Sequence, residues 1–148
     1  MRRREVVKLG IMAIGCVGCG GGGGEETTPD APGTTSGFEV CGTNICVSLM
    51  EPVNAALRDV NGARPINVPD KIIIVRTSAT TFSVLSRVCT HNNCGVSYQP
   101  SSMELACPCH GSRFALNGAV TREPATRALK SYTHTFDETT QVLTITIA

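Results

Sequence analysis

Two blocks of cysteine and histidine constrain this chain more than any other stretch: Cys89-Thr90-His91 with Cys94, and Cys107-Pro108-Cys109-His110. They gather four of the eight cysteines and two of the three histidines. Each block pairs one thiolate with one imidazole, as C-x-H and then C-x-x-H, and fifteen residues separate His91 from Cys107. That interval suffices for a strand out, a turn and a strand back, which returns both blocks to one end of a hairpin. Two loop tips so placed can clamp a small inorganic cluster, each giving one soft sulfur and one neutral nitrogen. A 2Fe-2S cluster held by two cysteines and two histidines uses that donor set.

Two other uses of these residues are open at this point. A structural zinc site can be Cys2His2, but such sites usually begin with two cysteines two to four residues apart, which C-x-H does not match. In an oxidising compartment the four cysteines can also pair as two disulfides, leaving two incidental histidines. The matched Cys/His order then has no explanation.

The run C-T-H-x-x-C followed by C-P-C-H-G-S resembles the Rieske iron-sulfur proteins, in the disulfide-bearing branch of the cytochrome bc complexes and the arsenite oxidase small subunit. The similarity extends from residue 66 to residue 148. It implies that Cys89 and Cys107 hold the inner iron of a 2Fe-2S cluster, His91 and His110 the outer iron, and that a Cys94–Cys109 disulfide ties the loops together. The ferredoxins of ring-hydroxylating oxygenases share the ligand spacing but lack that extra cysteine pair. The fold implied is all-β: a Rieske-like antiparallel β-sandwich with a small cluster-binding subdomain of two loops.

Around these ligands, Ser112 matches the family serine whose hydroxyl donates to a bridging sulfide, and Phe114 stands where high-potential members carry Tyr. A hydrogen bond to a charged group is worth ~1.5 to 3 kcal/mol, and ~1.4 kcal/mol is ~59 mV for one electron. The expected potential therefore lies roughly 60 to 130 mV below that of a Tyr-bearing relative. Two further departures concern partners. Asn92-Asn93 follows His91 where quinol-oxidising members have an apolar residue, and Glu123-Pro124-Ala125-Thr126 keeps only the middle of their Gly-Pro-Ala-Pro loop.

At 148 residues the chain suits one domain with a real core. Its +1 formal charge gives no reason to expect nucleic acid. Without residues 1–18 the charge becomes −2, from which no strong steering of partners is expected. The chain has no Trp, so the core must rest on Ile, Val and Leu, which suit strands.

Residues 1–18 read as an export signal. Arg3-Arg4-Glu5-Val6-Val7-Lys8 resembles the twin-arginine pattern, a receptor-read address, and an ordinary Sec signal is the plainer alternative. The apolar run from Leu9 to Cys19 is about half of the ~20 residues a spanning helix needs. It ends in Gly15-Cys16 and Gly18-Cys19, which resemble a bacterial lipoprotein box, with Cys19 preferred over Cys16. Lipidation would anchor the protein to a membrane surface without crossing it. Residues 19–37, rich in Gly, Thr and Pro, read as a flexible tether of roughly 20 to 25 Å reach, leaving 38–148 as the domain.

Within that domain, Cys41 and Cys46 flank a turn and suit a local disulfide. Strands are expected at 46–50, 71–76, 81–88, 95–98, 103–106, 113–116, 119–121, 129–136 and 142–147, with a strand and turn within 54–64 around Asn61-Gly62. His134 falls in a terminal strand, far from the ligand blocks.

Imidazoles in place of thiolates make a cluster less negative and easier to reduce, at about −150 to +300 mV against about −400 mV for plant-type ferredoxins. Electron transfer is thus the expected function, with electron-donor and electron-acceptor proteins as partners. The first expectation is a periplasm-facing, membrane-anchored subunit or partner of a respiratory complex, working between quinol with a cytochrome b-type subunit and a cytochrome-like acceptor. The second is the small subunit of a molybdenum oxidase of the arsenite oxidase type. The third, from another class, is a non-redox envelope binding or scaffold protein. No catalytic base or substrate pocket is evident in the sequence.

Overall fold

The computed structural model describes residues 36–68 and 70–147. Both cysteines of the lipoprotein-like stretch, Cys16 and Cys19, and the proposed signal and most of the tether lie outside them. A hairpin of β1 (Glu39–Cys41) and β2 (Asn44–Ser48) comes first, followed by a 3-10 helix (Pro52–Arg58). Next is a meander of β3 (Ala63–Asn67), β4 (Lys71–Arg76) and β5 (Phe82–Ser86). Four short strands follow: β6 (Ser97–Gln99), β7 (Glu104–Ala106), β8 (Arg113–Ala115) and β9 (Val120–Arg122). The hairpin of β10 (His134–Asp137) and β11 (Val142–Thr146) ends the described fold. Three antiparallel sheets result, in the orders β1-β2-β11-β10, β3-β4-β5 and β6-β7-β8-β9.

The middle sheet serves two cores, and the pleat of a strand explains how. Successive side chains point to opposite faces, so Ile72 and Ile74 of β4 join Ile45, Val47, Leu143 and Ile145 from the first sheet. Ile73 and Val75 point the other way, into a second core with Leu105, Phe114 and the ligand candidates Cys89 and Cys107. The pairing Ile73↔Leu85 and Ile74↔Val84 keeps β5 in the same register of faces. All four residues from Ile72 to Val75 are therefore buried, which accounts for the unbroken apolar run of this strand. The cluster end is thus bolted to the base through the back of its central sheet.

Between β2 and β3 the structure departs from the strand expected within 54–64. Pro52, at the start of the 3-10 helix, presets a helical φ where its missing N–H costs nothing. Arg58 Nε and Nη2 donate to the carbonyls of Leu49 and Met50. Asn54, fully buried, donates to the carbonyls of Gly37 and Ser48 and accepts from Arg64. The turn does form at Asn61-Gly62, where Asn61 has φ 67°. A Cβ on Gly62 would sit 1.6 Å from the Ala56 carbonyl oxygen, so only glycine fits. Replacing Asn54 with Ala should cost about 2 kcal/mol, because two buried carbonyls and part of a guanidinium lose their partner at once. A urea unfolding midpoint unchanged in that variant would refute this.

The expected local disulfide between Cys41 and Cys46 is present across the β1–β2 hairpin, with Cα atoms 5.9 Å apart. His134 lies in β10, partly buried, with Nδ1 3.0 Å from the Tyr132 carbonyl oxygen, away from the ligand loops. Tyr132 is itself pinned to the base by its hydroxyl, which donates to Asp70 at 3.1 Å. Burial, then the adjacent Asp70 carboxylate, push that phenol up to about 12.

Candidate metal centre

The two ligand blocks fold into loops of the same construction. In the first, Cys89 N–H donates to Cys94 O at 2.8 Å and Asn93 N–H to Cys89 O at 2.9 Å. In the second, Cys107 N–H donates to Ser112 O at 2.8 Å and Gly111 N–H to Cys107 O at 3.0 Å. Each loop is closed by a left-handed residue at the same place, Asn93 (φ 51°) and Gly111 (φ 80°). Asparagine and glycine tolerate that conformation best. β6 and β7 form the hairpin between the loops and deliver both to one end.

Inside these loops the donors are sorted by depth. Cys89 and Cys107 are 0% and 2% exposed and carry free thiols. His91 and His110 are exposed, and their rings stand edge to face with centroids 4.8 Å apart. Two sulfurs thus lie on the protein side of the site and two imidazoles on the solvent side. Cys94 and Cys109 form a disulfide joining the loops, with Cα atoms 6.5 Å apart. Its sulfurs and that of Cys107 all lie within 4.8 Å of one another, so the bridge packs against a candidate ligand and is not itself one. That pairing leaves Cys89 and Cys107 unbridged and closes the two-disulfide reading of the four cysteines.

The chemistry of Cys89 suits ligation, which requires thiolate. Burial raises its pKa, but N–H groups of the His91 and Asn92 backbone and contacts with Cys107 and Ser112 outweigh burial and hold the thiol below its ordinary value. Ser112 is fully buried; its Oγ accepts from Ala125 N–H at 3.0 Å while it also bonds to Cys89. Because the oxygen is engaged as an acceptor on one side, its proton is available to sulfur on the other. Phe114, also fully buried, stands in the apolar wall behind Cys89 and Cys107 without any polar atom to offer.

A third segment braces both loops, and the ligand motifs alone do not reveal it. Ala125 reaches the second loop through Ser112, and the Arg127 carbonyl accepts from Thr90 Oγ1 of the first loop at 2.6 Å. The Pro124-Ala125 remnant noted in the sequence therefore lies on a strap, with Ala125 1% exposed. Ser112→Ala removes both bonds of the hydroxyl. We expect the midpoint potential to fall by roughly 60 to 130 mV and stability to drop by about 1 to 3 kcal/mol from the orphaned Ala125 N–H. Redox titration and thermal unfolding read the two effects separately, and an unmoved midpoint would contradict the first.

An all-β domain that sets two buried thiols behind two exposed imidazoles, on twin loops locked by a disulfide, offers the two-sulfur, two-nitrogen donor set that a 2Fe-2S cluster with mixed ligands would take. The soft donors fit a buried iron and the neutral nitrogens an outward one, whereas zinc calls for no such division. The comparisons agree: a family profile for the Rieske [2Fe-2S] domain matches residues 29–133, and the chain belongs to that family. Its cofactor is accordingly a Rieske-type 2Fe-2S cluster. Over 117 residues it is 33% identical to the cytochrome b6-f complex iron-sulfur subunit of Synechococcus sp. (strain JA-2-3B'a(2-13)), covering 79% of this chain and 63% of that protein. It is 33% identical over 104 residues to iron-sulfur subunit 1 of the same complex in Trichormus variabilis, covering 69% and 57%. The chain thus spans about three-fifths of the length of the curated relatives it matches. Among solved structures it resembles the plasma-membrane Rieske protein PetC3 of Synechocystis PCC 6803, with a TM-score of 0.53 and 28% identity over 58% of this chain and 87% of that one.

Proposed function

We propose that the chain moves single electrons through a 2Fe-2S cluster held by Cys89, Cys107, His91 and His110, as a subunit or partner of a quinol-oxidising membrane complex. The depth-sorted pair of thiols and imidazoles on twin loops is the observation that carries this reading. When bound, the cluster supplies a one-electron couple at a potential raised by its two neutral ligands. Cys89 and Cys107 anchor it in the apolar wall, and the Ser112 hydroxyl stabilises added negative charge on sulfur. His91 and His110, being exposed, would each present to solvent or a bound reductant the ring nitrogen not used for iron, the group through which proton transfer would be linked to electron transfer. The names of the relatives, iron-sulfur subunits of cytochrome b6-f complexes, support a cytochrome-containing complex as the setting, and a quinol donor is part of the proposal.

A second reading, the small subunit of a molybdenum oxidase of the arsenite oxidase type, is favoured by one feature. Asn92 and Asn93, exposed beside His91, present amide groups where an apolar quinol-docking surface would be expected. Among the described residues no helix is long and apolar enough to cross a membrane. We take residues 1–18 as the export signal, Cys19 or Cys16 as the lipidation site and 19–37 as the tether. That places the domain, 38–148, on the periplasmic face of the envelope.

Anaerobically purified protein should contain about two irons per chain and, once reduced, give a rhombic EPR signal of lower average g than clusters with four cysteines. Colourless protein, or protein holding zinc, would sink the proposal. A neighbouring gene for a cytochrome b favours the first reading, and one for a molybdopterin subunit the second.

A further inference from the structure

The fold separates charge in a way that the total conceals. Residues 86–130, which build the ligand loops, the β6–β9 sheet and the strap, hold five cations against Glu104 and Glu123. The remainder of the described fold holds four cations against six acids. Glu104 and Arg113 offset one another at 3.2 Å, with Thr121 also donating to Glu104 at 2.7 Å, and Lys130 pairs with Asp70 at 3.4 Å, so Arg127 is the rim cation on which the charge of this end chiefly rests. The domain is therefore polar, positive at the end where His91 and His110 meet solvent. Next to that tip, Cys89, Thr90 and Asn93 share with Arg127 and Lys130 the wall of an open depression of about 360 Å³. The Thr90–Arg127 bond holds the backbone of Arg127 against the first ligand loop, so its exposed side chain starts from a point fixed beside that loop.

We propose that the basic rim around this depression, centred on Arg127, is the docking surface for an electron-transfer protein with an acidic face. This rests on the electron-transfer reading above and supplies the chemistry of the partner. A protein is favoured over a lipid surface because the depression adjoins the loop that carries Cys89 and the exposed His91, where a redox partner gains a short path and a lipid headgroup gains nothing. Complementary charge of this kind orients encounters and raises association rates by about 10 to 1,000-fold.

The test is stopped-flow oxidation of the reduced, cluster-loaded full chain by two small probes, anionic ferricyanide and cationic tris(phenanthroline)cobalt(III). Salt is varied from about 10 mM to about 1 M, over which the Debye length falls from about 30 to about 3 Å. The ferricyanide rate should fall about tenfold and the cobalt rate rise. Arg127→Gln should flatten both slopes, Arg127→Lys should restore them, and Glu39→Gln, at the exposed β1 edge, should leave them as they were. Salt-independent rates, or slopes that answer to Glu39→Gln as much as to Arg127→Gln, would overturn the proposal. So would binding to phosphatidylglycerol vesicles that Arg127→Gln abolishes while both probe slopes stay unchanged. A protein lacking the reduced-cluster EPR signal would instead remove the electron-transfer reading beneath it.

Discussion

Cys107→Ser is expected to yield a colourless domain with almost no iron and no EPR signal on reduction. The expectation follows from depth as much as from ligand type. Cys107 is 2% exposed, and its sulfur lies against the Cys94–Cys109 bridge and in contact with Cys89. A serine there offers a hard, protonated oxygen in an apolar wall, where forming the alkoxide is far costlier than forming a thiolate. With one of the proposed inner ligands lost, the remaining thiol and two exposed imidazoles would make an incomplete set. Ligand binding to the folded state is also folding free energy, so the variant should unfold at lower temperature and denaturant concentration than the loaded parent. Iron analysis, visible absorption and EPR on matched preparations decide the matter. Full iron content and an unaltered spectrum in Cys107→Ser would mean that the four residues named here are not the ligand set.

The ligand loops were legible in the sequence because their chemistry is local. Each carries its thiol and imidazole within four residues, and the hydrogen bonds that shape it run between residues four and five apart. The Cys41–Cys46 bridge was legible for the same reason. What escaped sequence reading depends on distant partners. The 3-10 helix at Pro52–Arg58 is held by Asn54, whose partners Gly37, Ser48 and Arg64 come from three other segments, and no period in the sequence announces it. The strand expected at 81–88 is there as β5, but its sequence could not reveal that both of its faces are buried. Val84 and Leu85 face different cores only because a sheet packs on either side of β5. Charge shows the same limit. A chain total near zero suggests no steering, whereas the topology collects cations at the cluster end and acids at the base.

Removing the Cys94–Cys109 bridge, by the double change to Ser, should injure the protein twice over. The bond closes a loop with a sequence separation of 15, which in the chain-entropy account is worth about 3 kcal/mol. For a domain of this size that corresponds to a fall in Tm of roughly 10 to 15 °C. The second injury is local. Cys109 immediately precedes His110, and Cys94 closes the loop that carries His91, so the bridge fixes the spacing between the two imidazoles. Without it each loop keeps its own backbone bonds, but nothing covalent holds one loop to the other. The EPR lines should broaden, and cluster loss on standing in air should quicken. The Cys41–Cys46 bridge supplies the control: its loop has a sequence separation of 5, worth about 2 kcal/mol, and it lies in the β1–β2 hairpin. Its removal should lower Tm and leave the spectrum as it was. If the two double variants lost stability alike and neither changed the spectrum, the inter-loop bridge would be an ordinary cross-link without a part in holding the histidines.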